Sequence, residues 1–395
     1  MLARFFITPS EETFMLIGVP AETMVGETRV AVTPETAKKL VAQGHVVRVQ
    51  SGAGVAASAT DAAYTAVGAE VTDAAGALGA DLVLKVRAPS EAELAQMKPG
   101  ATLVGMLNPF DAAGLQKLAG AGLTAFALEA APRTTRAQSM DVLSSQANIA
   151  GYKAVMLAAN HYQRFFPMLM TAAGTVKAAR VVILGVGVAG LQAIATAKRL
   201  GAVIEASDVR PSVKEQVESL GAKFIDVPYE TAEEKEAAEG VGGYARPMPP
   251  SWLERQKVEV AKRVAQADVV ISTALIPGRA APVLVTEDMV KSMKPGSVIV
   301  DLAAGKGAAN PDGSVGGNCP LTVADQTVTR HGVVIVGETN LPALVAADAS
   351  ALYARNVLDF LKLVLPKDAA AVQVPMDDDI VVACLMAQGG EVKRK

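Results

Sequence analysis

Three glycines, Gly185, Gly187 and Gly190, follow an apolar run with the spacing GxGxxG, which can hold a pyrophosphate group. The stretch RVVILGVGVAGLQAIATAKRLGA predicts a strand before the glycines and a helix after them. The first N–H groups of such a helix attract phosphate, and glycine lets a ligand approach the backbone closely. We therefore predict a dinucleotide site that includes Val188, against the alternative of a glycine-rich turn that binds nothing.

The acidic residue Asp208 ends the next apolar run, AVIEASDV. A carboxylate in this position can accept both hydroxyls of the adenosine ribose and repels a 2′-phosphate, so it favours NAD(H) over NADP(H). Arg210 is the alternative determinant, because an arginine nearby can accept that phosphate. Val209 lies between them and is expected to contact the same nucleotide.

The elements that position these residues are apolar runs rich in β-branched residues, separated by helix-like segments such as TPETAKKLVAQG and TEDMVKSMKPG. Strands that alternate with helices predict mainly parallel sheets, and continuous apolar runs are typical of strands covered on both faces. The predicted strands are HVVRVQ, DLVLKV, ATLVGML, LTAFALEA, RVVILGVG, AVIEASDV, KFIDV, DVVISTA, SVIVDLA and GVVIVGE.

Two long helices divide this pattern. SSQANIAGYKAVMLAANHYQRFFPML is predicted as one helix between two groups of strands, and YARNVLDFLKLVL as a second, amphipathic helix near the end. We therefore predict an α/β fold with two Rossmann-like lobes of mainly parallel sheet, joined by long helices. The expected domains are an N-terminal extension (1–14), a discontinuous first lobe (15–145 plus 345–395) and an NAD-binding lobe (146–344).

Composition narrows the functional classes. The 395 residues suffice for two domains with full cores. A net charge of −3 argues against an anionic surface as a partner. An aromatic content of 4% argues against the binding of single-stranded nucleic acid. Cys319 and Cys384 have neither metal nor redox spacing, so we predict buried thiols and no metal site. No apolar run reaches the roughly 18–20 residues of a membrane helix, and the start lacks the apolar region of a signal peptide.

Three distant stretches together carry a family resemblance: IGVPAETMVGETRVAVTPETAKKL, RAQSMDVLSSQANIAGY and GVGVAGLQAIATAKRLGA. They closely resemble the NAD(H)-binding domain I, or alpha subunit, of proton-translocating nicotinamide nucleotide transhydrogenase. The resemblance implies direct, AB-specific hydride transfer between NAD(H) and NADP(H) bound on a partner subunit, coupled to proton translocation by a membrane subunit. It also implies a homodimer that is cytoplasmic and peripheral on the inner face of the membrane.

The resemblance gives roles to a polar stretch that follows the predicted strand LTAFALEA. In the family this stretch is a loop between the lobes, beside the nicotinamide. Arg133, Gln138 and Asp141 are then the expected catalytic residues, and Ser144 joins them as a cofactor ligand. Gln138 is expected to reach the partner's NADP(H), and Ser144 the carboxamide of the nicotinamide. The alternative is that Asp141 or Ser144 caps the long helix.

Two further stretches resemble nucleotide contacts of the family. GGYARPMPP, with Gly243, Tyr244 and Met248, is similar to a mobile loop, and Val227–Ser251 as a whole is predicted to be a long loop. TALIPG places Leu275 after a strand, as an adenine or ribose contact. Unlike the family pattern, a Gly-, Asn- and Pro-rich insertion separates DLAA from GGNC, and we expect it to lie on the surface.

Alanine dehydrogenases share the fold with a weaker resemblance, and an enzyme of that kind is the alternative function. Arg29 and Lys85 match their two pyruvate-binding positions, but Asn108 stands where they have the catalytic histidine. An amide cannot exchange a proton near neutral pH, so we expect the amine chemistry to be lost. A nucleotide-binding regulatory module without chemistry remains a third possibility.

Overall fold

The computed structural model describes residues 15–239, 248–366, 369 and 371–394. Its strands are β1 Leu16–Val19, β2 Val46–Gln50, β3 Glu70–Thr72, β4 Leu82–Arg87, β5 Thr102–Met106, β6 Thr124–Ala127, β7 Leu169–Thr171, β8 Gly174–Val176, β9 Arg180–Leu184, β10 Val203–Ser207, β11 Lys223–Phe224, β12 Val269–Ser272, β13 Val298–Asp301, β14 Thr327–Arg330, β15 Val333–Val336, β16 Leu385–Gln388 and β17 Glu391–Val392. Its α-helices are α1 Pro34–Ala42, α2 Asp61–Thr65, α3 Ala74–Leu78, α4 Glu91–Leu94, α5 Ala112–Gly120, α6 Val142–His161, α7 Val188–Arg199, α8 Lys214–Ser219, α9 Ala232–Glu239, α10 Pro250–Val264, α11 Glu287–Ser292, α12 Ala346–Val364 and α13 Asp379–Cys384.

The chain forms two compact units, Met1–Ser145 with Val345–Lys395, and Gln146–Leu344. Each unit has one large sheet in which parallel pairs predominate. The prediction of an α/β fold with two Rossmann-like lobes of mainly parallel sheet is confirmed.

The first unit is built on an eight-stranded sheet with the order β17-β16-β6-β5-β4-β1-β2-β3. The strands from β6 to β3 are parallel, whereas β16 and β17 add an antiparallel edge. Leu82 and Leu84 of β4 enter one core, and Val83 between them enters the other. The strands are therefore covered on both faces, as continuous apolar runs indicate. The order reverses at β1, and such a reversal opens a crevice at the carboxyl end of the sheet.

The second unit is built on a seven-stranded sheet with the order β11-β10-β9-β12-β13-β15-β14, in which only β14 is antiparallel to its neighbour. Val181 and Ile183 of β9 face one core, and Val182 and Leu184 face the other. The strand order reverses at β9. The carboxyl end of β9 is therefore the expected place for a ligand.

The helix predicted between the two groups of strands is shorter than expected. It begins at Val142 and ends at His161, whereas the prediction extended it through Leu169. Pro167 lacks the N–H that a helix needs and disfavours helical backbone in the residue before it. The chain instead forms the hairpin β7–β8, in which Leu169 pairs with Val176.

The long loop predicted for Val227–Ser251 is partly wrong, because it contains the helix α9 and the start of α10. Thr231 accepts the backbone N–H of Glu234 at 3.1 Å, which caps the first turn of α9. The order Thr-x-x-Glu is a helix-start signal that could have identified α9 from the sequence. Residues 240–247 lie outside the described part of the chain.

Candidate functional site

The glycine turn joins β9 to α7 in the second unit. Gly185 has a φ of 93°, in the region that favours glycine. A Cβ on Gly190 would lie 2.1 Å from the carbonyl oxygen of Gly185, so the helix and the strand can pack closely only around glycine. A Cβ on Gly187 would meet no atom of the described residues within 4 Å. The helix and the strand therefore pack tightly at Gly190, whereas the backbone at Gly187 borders open space.

The start of α7 offers hydrogen-bond donors to a ligand. Gly187 is its N-cap, no side chain in the described part of the chain caps it, and its first turn, which begins at Val188, contains no acidic residue. The first N–H groups of a helix have no partner within the helix, and they carry the positive end of its dipole. Gly185 is held in place by the hydroxyl of Thr273, which donates to its carbonyl oxygen at 2.8 Å. This cradle fits a pyrophosphate group.

Asp208 and Arg210, the two alternative ribose determinants, form a salt bridge beside this turn. Arg210 Nε donates to Asp208 Oδ1 at 2.9 Å, and Arg210 Nη2 donates to Oδ2 at 3.0 Å. The N–H of Val186, inside the glycine turn, also donates to Asp208 Oδ2 at 2.7 Å. The sequence placed these two side chains near each other but did not reveal that they pair.

Val209 is fixed by an aromatic pair that the sequence analysis missed. The hydroxyl of Tyr229 donates to the carbonyl oxygen of Val209 at 3.2 Å. The Tyr229 ring stacks on Trp252, with 5.8 Å between centroids and 11° between planes. Burial and the nearby carboxylates of Asp208 and Asp226 raise the pKa of Tyr229, so its hydroxyl remains a donor. The single tryptophan of the chain is therefore part of the packing of the second unit.

Met248 is buried in the same apolar cluster as Trp252. Gly243 and Tyr244, the other residues expected from the loop resemblance, lie outside the described residues.

Leu275 follows β12 on a loop that a buried asparagine holds. Its side chain is 49% exposed. The side chain of Asn318 accepts the N–H of Ala274 at 3.1 Å and donates to the carbonyl oxygens of Ala274 at 2.9 Å and Pro282 at 2.8 Å. Asn318 lies in the GGNC stretch, and the insertion before it is largely exposed between 306 and 315, as expected.

The polar stretch of the first unit surrounds the start of α6. Arg133 and Gln138 are exposed, whereas Asp141 and Ser144 are partly buried. The carboxylate of Asp141 accepts the backbone N–H of Ser144 at 2.9 Å and its hydroxyl at 2.6 Å. Asp141 therefore caps the start of α6. The hydroxyl proton of Ser144 points to Asp141, so towards a ligand its oxygen can act as an acceptor.

The turn that carries Gln138 is a 3₁₀ helix, Thr135–Met140, anchored by residues far away in sequence. Arg136 forms ion pairs with Asp378 and Asp379. The hydrogen bonds from Arg136 lower the pKa of Asp378 to about 2. The side chain of Asn356 donates to the carbonyl oxygen of Ser139 at 2.7 Å. Gln138 is therefore presented to solvent from a fixed backbone.

Arg29 and Lys85 are buried, and each has carboxylate partners in the first unit. Arg29 donates to both oxygens of Glu27 at 2.7 and 2.6 Å. Lys85 Nζ donates to Glu93 at 2.6 Å and lies 3.3 Å from a carboxylate oxygen of Glu22.

Burial alone would raise the pKa of Glu27, but the hydrogen bonds and charge of Arg29, with Arg87, lower it to about 2. Burial raises the pKa of Glu22 despite the nearby lysine. Arg29 and Lys85 therefore each have a carboxylate as counter-charge.

Asn108 is exposed after β5 and has a φ of 54°, a left-handed conformation that asparagine tolerates. Its backbone N–H donates to Glu129 at 2.7 Å, and burial raises the pKa of that carboxyl group. The position thus offers an amide side chain to solvent, not a titrating ring.

The described residues contain no group of three or more His, Cys, Asp or Glu side chains that could hold a metal ion. Within the same part of the chain, every helix is too short or too polar to cross a bilayer. Both cysteines are buried and free, as predicted.

Comparison with known proteins gives two family matches that together cover most of the chain. Residues 18–150 match the model described as alanine dehydrogenase/PNT, N-terminal domain, and residues 154–395 match its C-terminal domain.

Among curated proteins, the chain is 50% identical over 386 residues to the first part of NAD(P) transhydrogenase subunit alpha of Rhodospirillum rubrum, covering 96% of this chain and 97% of that one. It is 32% identical to alanine dehydrogenase of Mycobacterium tuberculosis, covering 84% and 82%. Among solved structures, it matches transhydrogenase from Sinorhizobium meliloti with a TM-score of 0.84 and 46% identity, covering 95% and 99%.

Proposed function

Because the chain belongs to the alanine dehydrogenase/PNT family, we propose that it is the NAD(H)-binding subunit of a proton-translocating NAD(P) transhydrogenase. The observation that carries the proposal is the glycine turn, with open space at Gly187, uncapped N–H groups at α7 and Asp208 at the end of the next strand. The high identity to a transhydrogenase alpha subunit over nearly the whole of both chains supports the same function.

The nicotinamide of NAD(H) supplies or accepts the hydride, and the second nicotinamide belongs to NADP(H) on a partner subunit. Direct hydride transfer moves no proton, so it requires two aligned rings and the exclusion of water, not a general base. In the second unit, the turn at Gly187 binds the pyrophosphate, Asp208 binds the ribose and Leu275 contacts the adenosine. This division assigns binding, and no proton transfer, to the second unit.

In the first unit, Arg133 and Ser144 position the nicotinamide, and Gln138 reaches the partner's NADP(H). Asp141 contributes through Ser144, whose hydroxyl it orients with a 2.6 Å hydrogen bond. The anchored 3₁₀ helix supports this assignment, because a fixed backbone restricts where the exposed side chain of Gln138 can reach.

Proton translocation belongs to a membrane partner in this proposal, and the chain works on the cytoplasmic face of the membrane as a peripheral subunit. We also propose a homodimer. Apolar side chains along β7–β8 are exposed, including Met168 (61%) and Met170 (72%), and contiguous exposed apolar patches mark association sites.

Light scattering tests the homodimer. Met170→Asp should convert the dimer to a monomer, whereas Val258→Asp on α10, also at an exposed apolar position, should not. A monomeric native chain would contradict this part of the proposal.

The alternative function, NAD-dependent alanine dehydrogenation, is favoured by the 32% identity to alanine dehydrogenase, by the shared family models and by the matching positions Arg29 and Lys85. It requires a proton-transfer group, and Asn108 does not supply one. The transhydrogenase assignment needs no such group.

The experiment that tests the proposal is Gln138→Asn, which keeps the amide and shortens the side chain by one methylene. Hydride transfer from NADH to an NADP analogue is measured with the NADP(H)-binding partner domain added. A misplacement near 1 Å can cost roughly a hundredfold in rate, so we expect a large fall in rate. The NADH affinity of the isolated chain should hardly change, because Gln138 is assigned to the partner's nucleotide.

Two matched variants complete the test. Gln43→Asn shortens an exposed glutamine at the end of α1 and should leave both rate and affinity unchanged. Arg133→Ala should weaken NADH binding as well as slow transfer. Native-rate transfer by Gln138→Asn would contradict its role. Absence of transfer by the native chain with its partner domain would contradict the proposed function.

A further inference from the structure

The carboxylate of Asp208 is fully engaged in the chain alone. Its Oδ1 accepts the backbone N–H and Nε of Arg210, both at 2.9 Å. Its Oδ2 accepts the N–H of Val186 at 2.7 Å and Nη2 of Arg210 at 3.0 Å. A carboxylate has about four lone-pair positions, so these four hydrogen bonds fill it. Both hydroxyls of a ribose can bind Asp208 only if two of these donors leave.

Of the four donors, only those of the Arg210 side chain can leave without unfolding the turn. The two backbone donors are fixed, because the N–H of Gly185 donates to Ser207 at 2.9 Å and Tyr229 holds the carbonyl of Val209. The Arg210 side chain is 22% exposed, whereas that of Asp208 is only 7% exposed. Nη2 also donates to the carbonyl oxygen of Val186 at 3.1 Å. The guanidinium can exchange these hydrogen bonds for water by rotating outwards, while the carboxylate stays in place.

We propose that Arg210 determines both the affinity and the nucleotide specificity of the ribose subsite, by closing Asp208 until the ribose hydroxyls replace the guanidinium. This inference rests on the proposed binding of NAD(H). It replaces the simpler view that Asp208 alone rejects a 2′-phosphate, because the ion pair of carboxylate and guanidinium as a whole carries no net charge. Only an opened Asp208 repels that phosphate.

The competition has a measurable cost. The apparent Kd of a ligand rises in inverse proportion to the fraction of molecules that can bind it, so a subsite open in about a tenth of molecules raises the Kd about tenfold. Removing the guanidinium should recover this factor for NADH. It should not do so for NADPH, because the unpaired carboxylate then repels the 2′-phosphate.

The test is Arg210→Met, which keeps a long side chain and removes the donors and the charge. Titration by NADH fluorescence should show a Kd for NADH that is about threefold to tenfold lower than in the native chain. The ratio of the Kd for NADPH to that for NADH should rise. Arg210→Lys replaces the bidentate guanidinium by a point charge, so its Kd for NADH should lie between those of the native chain and of Arg210→Met. Arg199→Met removes an exposed charge from the same lobe and should change neither Kd.

A double variant decides whether Arg210 acts through Asp208. In an Asp208→Asn background, Arg210→Met should no longer tighten NADH binding, because there is no carboxylate to release. Unchanged or weaker NADH binding by Arg210→Met, a lower NADPH-to-NADH ratio, or a gain that persists in the Asp208→Asn background would each overturn the inference. If the native chain binds neither NADH nor NADPH, the proposed function itself fails, which is a different outcome.

Discussion

Gly187→Ala separates ligand binding from folding at the glycine turn. The added Cβ meets no neighbour within 4 Å among the residues that the structure describes, and the residue has φ −81° and ψ −164°, which alanine adopts without strain. Replacing glycine by alanine at such a position stabilises a protein by about 0.4–1 kcal/mol, through the lower entropy of the unfolded chain. The variant should therefore melt at the native temperature or about 1–4 °C above it.

Nucleotide binding should respond in the opposite direction. The Cβ occupies the space where the proposed pyrophosphate approaches the backbone. Hydrogen bonds to charged groups contribute about 1.5–3 kcal/mol each, so the loss of one raises the Kd for NADH about tenfold or more. Titration with NADH and with ADP-ribose, which lacks the nicotinamide, should show the same loss for both ligands.

Gly190→Ala is the matched control. Its Cβ would lie 2.1 Å from a backbone carbonyl oxygen, so α7 must shift away from β9. Overpacking of this kind costs roughly 1–3 kcal/mol, and the melting temperature should fall. A Gly187→Ala variant that binds NADH with native affinity would refute the pyrophosphate assignment. A variant that binds poorly only because it has unfolded would refute the structural argument.

Three further outcomes are expected. The chain with NADH, pyruvate and ammonium should form no alanine above background. Asn108→His alone should not restore alanine formation, since a base also needs supporting groups. NADH oxidation above background in a spectrophotometric assay of the native chain would contradict the first expectation. Asp141→Ala should lower the free energy of unfolding by about 1 kcal/mol in urea titrations, because it removes the cap of α6; an unchanged value would count against the cap. Glu27 has a pKa of about 2 in the folded chain, below its ordinary 4.5, so its contribution of up to about 3 kcal/mol is present above pH 4.5 and lost as the pH falls towards 2. Glu27→Gln should lower stability at pH 7 and flatten its dependence on pH between 4.5 and 2, and an unchanged slope would contradict the pairing.

The long apolar strands were predictable because their signal is local. Each of the ten predicted segments contains a strand, and each of these strands belongs to one of the two large sheets. The strands that the sequence did not reveal include β3, β17 and the two strands of the hairpin β7–β8. Each of these four strands has only two or three residues. Segments this short have too few residues to display a period, and they become strands only through their neighbours.

The site was predictable in its backbone but not in its contacts. The glycine turn is encoded within six residues, so the sequence indicates it directly. The ion pair between Arg136 and Asp378 joins positions 242 residues apart, and only the folded chain brings them together. The Asp208–Arg210 pair is local, but its geometry depends on Val186, which belongs to another strand end.

The side chains placed near the start of α6 are suited to positioning and not to acid–base chemistry. The Gln138 side chain is a neutral amide, and the guanidinium of Arg133 offers hydrogen-bond donors and no acceptor. The carboxylate of Asp141 accepts the backbone N–H and the hydroxyl of Ser144, so both of its oxygens are engaged at the cap of α6. Reduction of an imine or a ketone requires a proton as well as a hydride, whereas exchange between two nicotinamides requires the hydride alone. The chemistry of these side chains is therefore compatible with the second reaction and poorly suited to the first.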